Sequence, residues 1–168
     1  YFYPEIEKYL TEEERSKINK KISNITDFKE KRKQGENDSY ICSLIRDDSV
    51  EEFISYVNRE KIPLYSSIKR SIFETNLFLL KNKNITLIEY AAFFGSIQIF
   101  NYLRFNNVEM NSKLWLYSIH SKNGEIIHLL EENQIEPKEE NYEECFIEAI
   151  KCHHNDIADY IYNCLMNL

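Results

Sequence analysis

The chain has 168 residues, of which 43% are hydrophobic and 14% aromatic, and its formal net charge is −7. This apolar content excludes a disordered chain and is enough to build a sizeable core. No stretch approaches the roughly 20 uncharged apolar residues that a membrane span needs, so we expect no membrane partner. The acidic excess lies after residue 35 and repels phosphate groups, so we expect no nucleic-acid partner either.

Residues 1–35 are predicted to form a charged amphipathic helical extension. Thr11 and Glu14 have the spacing of a capping box, which marks the start of a helix. Apolar residues then recur at steps of four, three and three along one helix face: Ile18, Ile22, Ile25 and Phe28. An apolar and aromatic cluster precedes this helix and must be covered by the chain itself or by a partner: Tyr1, Phe2, Tyr3, Ile6, Tyr9 and Leu10.

Residues 86–103 predict two short antiparallel helices separated by a glycine. Thr86 stands three residues before Glu89, which is again the spacing of a capping box. Gly95 supplies the unhindered backbone that a left-handed helix stop requires. The second helix then places apolar residues on one broad face: Ile97, Ile99, Phe100 and Leu103.

The pattern recurs along the chain. Ile126 lies 27 residues after Ile99, and Ile157 lies 31 residues after Ile126. These spacings predict two further helix pairs, and residues 40–57 predict an atypical first pair without a dividing glycine. Residues 62–84 are too apolar for a free linker, so we expect them to lie against the helix pairs and to contain a short helix.

The helix pairs resemble ankyrin repeats, which recur about every 33 residues. The matching positions are Thr86, Leu87, Ala91, Ala92, Gly95, Ile99 and Leu103. Ile88 and Glu89 depart from the proline and histidine of the repeat signature. From about Gly35 onward, strings such as TLIEYAAFFGSIQIF and EAIKCHHNDIADYI are similar to the ankyrin-like domain of unknown function that is expanded in parasitic protists.

The resemblance implies an all-α fold in which residues 36–168 form an ankyrin-type α-solenoid of about four helix-pair repeats. It also implies a non-enzymatic protein–protein interaction module, whose concave surface is lined by the two positions before each inter-helix turn. Carried over to this chain, those positions are Phe93, Phe94, His120, Ser121, Lys151 and Cys152, with Arg46 and Asp47 in the first pair. The hairpin tips add Lys83, Asn84, Met110 and Asn111.

Phe93 and Phe94 are the expected anchors, because aromatic side chains are frequent hot spots of protein interfaces. The alternative for both is packing between repeats, and Trp115 is expected in the core. A second function is also open, that of a structural component of a cytoskeletal or axonemal assembly, docked through the N-terminal helix. In either case the partner is a protein that the sequence does not identify.

Catalysis finds no support in the sequence, which lacks a glycine-rich phosphate loop, a nucleophile elbow and a metalloprotease helix motif. A third alternative is a zinc site in which three cysteines converge with one histidine: Cys145, Cys152, His153 and Cys164. The absence of any CxxC pair weighs against it, so we expect no cofactor. Four cysteines without a secretory pattern predict thiols in a reducing compartment, which indicates a cytoplasmic protein.

Overall fold

The computed structural model describes residues 2–19, 25–138 and 141–166, so Tyr1 and Ile22 lie outside the described residues. The described part contains no β-strand, only an isolated antiparallel bridge between Ser67 and Thr86. The predicted all-α class is therefore confirmed. Every helix in the described part is too short or too polar to cross a lipid bilayer.

The α-helices of the described residues are α1 (Tyr3–Ile6), α2 (Glu12–Asn19), α3 (Ile25–Gln34), α4 (Tyr40–Arg46), α5 (Val50–Arg59), α6 (Leu77–Lys81), α7 (Leu87–Phe94), α8 (Ile97–Phe105), α9 (Leu114–His120), α10 (Gly124–Glu132), α11 (Glu143–Lys151) and α12 (Asn155–Tyr160). A 3₁₀ turn at Glu7–Tyr9 follows α1, and a π-helical turn at Ile161–Leu165 continues α12. The chain forms two compact units, unit 1 (Tyr1–Ser39 and Lys69–Lys83) and unit 2 (Tyr40–Ile68 and Asn84–Leu168).

Unit 1 is built around a small aromatic core. Phe28 and Phe73 are buried and meet edge to face, with ring centroids 5.2 Å apart. Polar bonds join the two segments of the unit, since Asn37 Nδ2 donates to Lys69 O at 2.7 Å and Thr75 N donates to Gly35 O at 2.9 Å. Residues 69–83 thus pack with the N-terminal residues, whereas residues 62–68 belong to unit 2.

Two local predictions for unit 1 are confirmed. Thr11 Oγ1 accepts the Glu14 N–H at 3.3 Å while Glu14 Oε2 accepts the Thr11 N–H at 2.9 Å, which completes the capping box. The short helix expected within residues 62–84 is α6. The single helix predicted through Ile18 and Phe28 is described as α2 and α3, and residues 20–24 between them lie outside the described residues. The domain boundary at residue 35 stays a prediction.

Unit 2 consists of consecutive helix pairs, α4 with α5, α7 with α8, α9 with α10 and α11 with α12. The first helices contact one another in sequence, because α4 packs on α7, α7 on α9 and α9 on α11. Among the second helices, α5 packs on α8. Each pair therefore buries its apolar face against its neighbours, as repeat proteins do.

A left-handed residue separates the two helices of each pair: Asp48, Gly95, Lys122 and His153, with φ values of 48°, 72°, 58° and 57°. The prediction for Gly95 is confirmed, as is the capping box of Thr86 and Glu89 that precedes it. In three of the pairs the next residue closes the turn by donating its backbone N–H to a carbonyl five residues earlier: Ser49 to Leu44, Ser96 to Ala91 and His154 to Ala149.

The isoleucines whose spacing predicted the repeat occupy equivalent positions in their helices. Ile99, Ile126 and Ile157 are each the third residue of the second helix of their pair. Ile99 and Ile126 are fully buried, and Ile157 is half-buried. Trp115 is also fully buried, where its indole Nε1 donates to Ile135 O at 2.6 Å, so its predicted place in the core is confirmed.

Polar bonds link each turn of unit 2 to the next pair. The Asp48 carboxylate accepts the backbone N–H groups of Gln98 and Ile99, both at 3.0 Å, and so caps the start of α8. Buried or half-buried polar groups make the other links: Ser96 Oγ donates to Ile45 O, Asn123 Nδ2 donates to Gly95 O and His154 Nδ1 donates to Ile119 O. The turns are therefore held in register along the unit.

Candidate functional site

We use the name pre-turn surface for the residues at the two positions before each left-handed turn residue: Arg46, Asp47, Phe93, Phe94, His120, Ser121, Lys151 and Cys152. These positions lie at the C-terminal ends of α4, α7, α9 and α11. Because the four helices contact one another in sequence, their ends lie side by side.

The first two pairs meet around Phe94. The Arg46 Nη1 donates to the hydroxyl of Tyr90 at 3.0 Å, and its guanidinium carbon lies 6.0 Å from the centre of the Phe94 ring. The Tyr90 and Phe94 rings are 4.7 Å apart. A cation at this distance is attracted by the face of an aromatic ring. Phe94 itself is half-buried, so part of its ring remains accessible.

Phe93 joins the second pair to the third. Its ring stacks on the His120 imidazole with centroids 4.8 Å apart and planes 27° from parallel, and it meets Phe94 edge to face at 5.0 Å. Phe93 is only 8% exposed. It therefore fills the space between two helix pairs, which is the alternative that the sequence left open for it, and Phe94 is the more accessible aromatic.

The third and fourth pairs meet around Glu148, a residue that the sequence analysis did not single out. Its Oε1 lies 3.1 Å from His120 Nε2, and its Oε2 accepts a bond from Lys151 Nζ at 3.0 Å. The Cys152 Sγ lies 3.4 Å from His120 Nδ1. The sequence could have identified Glu148, because it lies four residues, or about one helical turn, before Cys152 and therefore on the same helix face.

Burial sets the protonation of this group. Desolvation lowers the pKa of His120, although the carboxylate of Glu148 opposes the shift. Desolvation also raises the pKa of the Cys152 thiol, and the nearby Glu148 charge adds to the effect. At neutral pH the imidazole is therefore neutral and the thiol protonated.

The remaining predicted residues lie in local structure. Ser121 Oγ donates to Ser118 O at 2.7 Å and accepts the Asn123 N–H at 3.0 Å, so it stabilises the turn. Asn111 Oδ1 accepts the Lys113 N–H at 3.0 Å just before α9 begins. The other tip and turn candidates are exposed or half-buried: Asp47, Lys83, Asn84 and Met110. The contacts described for the pre-turn surface do not include Lys83, Asn84, Met110 or Asn111.

The structure does not assemble the predicted zinc set. Cys145 is buried in the core, where desolvation raises its pKa to about 12, whereas His153 and Cys164 are exposed. In the described part of the chain, the group of potential ligands whose atoms all lie within 4.8 Å of one another is His120, Glu148 and Cys152. Cys152 is the member that the two sets share.

Comparisons of the chain with protein-family models, with curated proteins and with solved structures found no match.

Proposed function

We propose that unit 2 is an ankyrin-type α-solenoid that binds a protein partner through its pre-turn surface. The consecutive helix pairs, their contacts in sequence and their equivalent left-handed turns support the solenoid. In this proposal the module is non-enzymatic and acts as an adaptor or scaffold. It holds its side chains in place before the partner arrives, which lowers the entropic cost of binding.

One observation carries the proposal, namely that side chains from all four pairs form a connected row. Arg46 contacts Tyr90 and Phe94, Phe94 contacts Phe93, Phe93 contacts His120, and His120 contacts Glu148 and Cys152. The row combines an arginine with aromatic rings, and both are enriched in interface hot spots. Each side chain is oriented by a neighbouring pair, so the surface exists only when the pairs are packed.

The test compares two phenylalanines of unit 2. Phe94 lies in the pre-turn surface, whereas Phe105 ends α8 and is 72% exposed. We expect Phe94→Ala to remove the proteins that the tagged wild-type chain captures from its native cell, and Phe105→Ala to retain them. Truncating a hot spot costs about 2 kcal/mol or more, which is roughly a thirtyfold loss of affinity.

Urea unfolding of the same variants separates binding from folding. The proposal requires that Phe94→Ala lowers the affinity for a captured partner more than it lowers the folding equilibrium constant. Equal losses would assign Phe94 to the core, and retention of every captured protein by Phe94→Ala would refute binding through this surface.

A second candidate function is that of a structural component docked through the N-terminal residues. It is favoured by the exposure of Phe2 at 68% and of Tyr9 at 76% in unit 1. Deleting residues 1–35 is a poor test, because it would also remove Phe28 from the buried Phe73 ring. Replacing both exposed rings by serine is cleaner. A structural component would leave its assembly, whereas an adaptor that binds through the pre-turn surface would keep its partner.

A further inference from the structure

The cluster of His120, Glu148 and Cys152 has a chemistry that protein binding does not use. Imidazole, carboxylate and thiolate are the three kinds of ligand that zinc prefers in proteins. The three side chains come from two neighbouring helix pairs, since His120 ends α9 while Glu148 lies in α11 and Cys152 follows it. A shared ion would therefore connect the third pair to the fourth.

The distances between the ligand atoms approach those around a tetrahedral ion. Zinc bonds of about 2.0–2.3 Å place neighbouring ligand atoms about 3.3–3.6 Å apart in tetrahedral geometry. His120 Nε2 lies 3.1 Å from Glu148 Oε1 and 4.0 Å from Cys152 Sγ. The Glu148 oxygen and Cys152 Sγ lie within 4.8 Å of each other, so side-chain rotation must bring them closer before all three atoms bind one ion.

The surroundings also orient the ligands. Lys151 Nζ binds the second oxygen of Glu148 at 3.0 Å, which leaves Oε1 directed at His120. Phe93 stacks on the imidazole and fixes the plane of its ring. Outer contacts of this kind position the ligands of known metal sites. The side chains of His120 and Glu148 are only 13% and 16% exposed, so little reorganisation is required.

We propose that His120, Glu148 and Cys152 form a zinc site that fastens the fourth helix pair to the third. Binding replaces the sulfur–hydrogen bond of Cys152 by a sulfur–zinc bond and releases one proton to solvent. The resulting thiolate and the Glu148 carboxylate balance the charge of the ion. Three protein ligands leave one tetrahedral position for water or for a donor atom of a partner.

The same atoms also have the order of a cysteine nucleophile, a histidine base and an orienting carboxylate. An activated cysteine has a lowered pKa, however, and burial raises the pKa of Cys152. A bound metal ion deprotonates a coordinating thiol without that requirement. A zinc site and an activated thiol differ in metal binding, which the titration with cobalt(II) measures.

The experiment titrates cobalt(II) into the full chain after reduction and removal of metal by a chelator. We expect visible bands of a tetrahedral ion and a near-ultraviolet sulfur-to-cobalt charge-transfer band, both complete at one equivalent and removed by zinc. Cys152→Ser should abolish the charge-transfer band. Cys164→Ser is the matched control, because Cys164 is exposed and outside the cluster, and it should retain the band.

Thermal unfolding gives a second measurement. Zinc should raise the Tm of the wild type and of Cys164→Ser but not that of Cys152→Ser, and Glu148→Gln should bind zinc about tenfold or more weakly. Absence of the charge-transfer band at one equivalent, or its persistence in Cys152→Ser, would overturn the proposal. No partner protein is present in these titrations, so their outcome is independent of the proposed protein binding.

Discussion

Unit 2 and unit 1 bury their apolar side chains in different ways. In unit 2 the first helices of consecutive pairs pack on one another, and Ile99, Phe100 and Leu103 are fully buried. In the described part of unit 1, Tyr9 and Leu77 stay largely exposed. The difference indicates that the packing of consecutive helix pairs, rather than apolar composition, buries these side chains in unit 2.

The strongest test of this comparison truncates one buried phenylalanine in each unit. Phe100 of unit 2 is completely buried, and Phe73 of unit 1 is 7% exposed. We expect Phe100→Ala to lower the free energy of unfolding by about 3–5 kcal/mol, because the close-packed pair cannot collapse around the cavity. Phe73→Ala should cost about 2 kcal/mol, because the smaller core of unit 1 can collapse more easily around the cavity. Urea unfolding measures both losses.

Hydrogen exchange locates the two effects. Phe100→Ala should reduce amide protection throughout unit 2, whereas Phe73→Ala should reduce it in unit 1 alone. The exposed Phe105 supplies the control, whose truncation to alanine should leave stability within about 0.5 kcal/mol. Equal losses for Phe73→Ala and Phe100→Ala would break the comparison.

A smaller effect is expected from the two glycines with positive φ, one in each unit. Gly35 and Gly95 have φ values of 70° and 72°. A Cβ atom on Gly35 would stand 2.7 Å from Thr75 Oγ1, and one on Gly95 would stand 3.1 Å from Ser121 Cβ. Each alanine should cost about 1–2 kcal/mol for the left-handed backbone, with the displacement of the neighbour added.

Hydrogen exchange in the two glycine variants shows which residues lose amide protection, and this sharpens the comparison of the units. Gly95→Ala should lower amide protection at the turn of the following pair, because Ser121 belongs to that pair, whereas Gly35→Ala should do so only in unit 1. The matched control is Gly124→Ala, because a Cβ there meets nothing within 4 Å. Damage confined to the mutated pair in Gly95→Ala would contradict the coupling between pairs.

The smallest effect concerns a polar link within unit 2. Tyr160 in α12 donates its hydroxyl to Glu131 in α10 at 2.8 Å, and desolvation together with this carboxylate raises the pKa of Tyr160 from 10.0 to about 12. The raised pKa adds stability below about pH 10, which is lost as the pH rises towards 12. Tyr160→Phe should therefore cost about 0.5–1.5 kcal/mol at neutral pH.

Urea midpoints at about pH 9 and about pH 11 measure the pH dependence. The wild type should lose more stability between them than Tyr160→Phe does. Tyr65→Phe is the control, since Tyr65 is 77% exposed. Identical pH dependence in the wild type and Tyr160→Phe would show that the bond from Tyr160 to Glu131 contributes no stability.

The sequence predicted those local features of the fold that depend on a few neighbouring residues, namely helix caps and a glycine turn. Both capping boxes formed as their spacing required, and Gly95 took the left-handed conformation. The other pairs were harder to delimit, because Asp48, Lys122 and His153 occupy the left-handed position with full side chains. A search for glycine does not find such turns, since the surrounding bonds and packing hold the conformation that local preference disfavours.

The sequence predicted which positions belong to the candidate site but not which side chains are in contact there. The repeat register indicated that Phe94, His120 and Cys152 precede equivalent turns, but it did not indicate which of their side chains meet. Glu148 belongs to no turn, and it enters the site because α11 packs on α9. Likewise, the zinc alternative grouped Cys145 and Cys164 with Cys152 on sequence spacing alone, whereas packing placed Cys145 in the core and left Cys164 exposed.

The sequence by itself determined the helices, their caps and the repeat of apolar positions, because each of these depends on residues within one or two turns of a helix. Only the tertiary structure decided which helix ends adjoin and which charged, aromatic and sulfur-bearing side chains meet there. The reason is physical: contacts across helix pairs join residues about 30 positions apart, and their distances depend on how every intervening side chain packs.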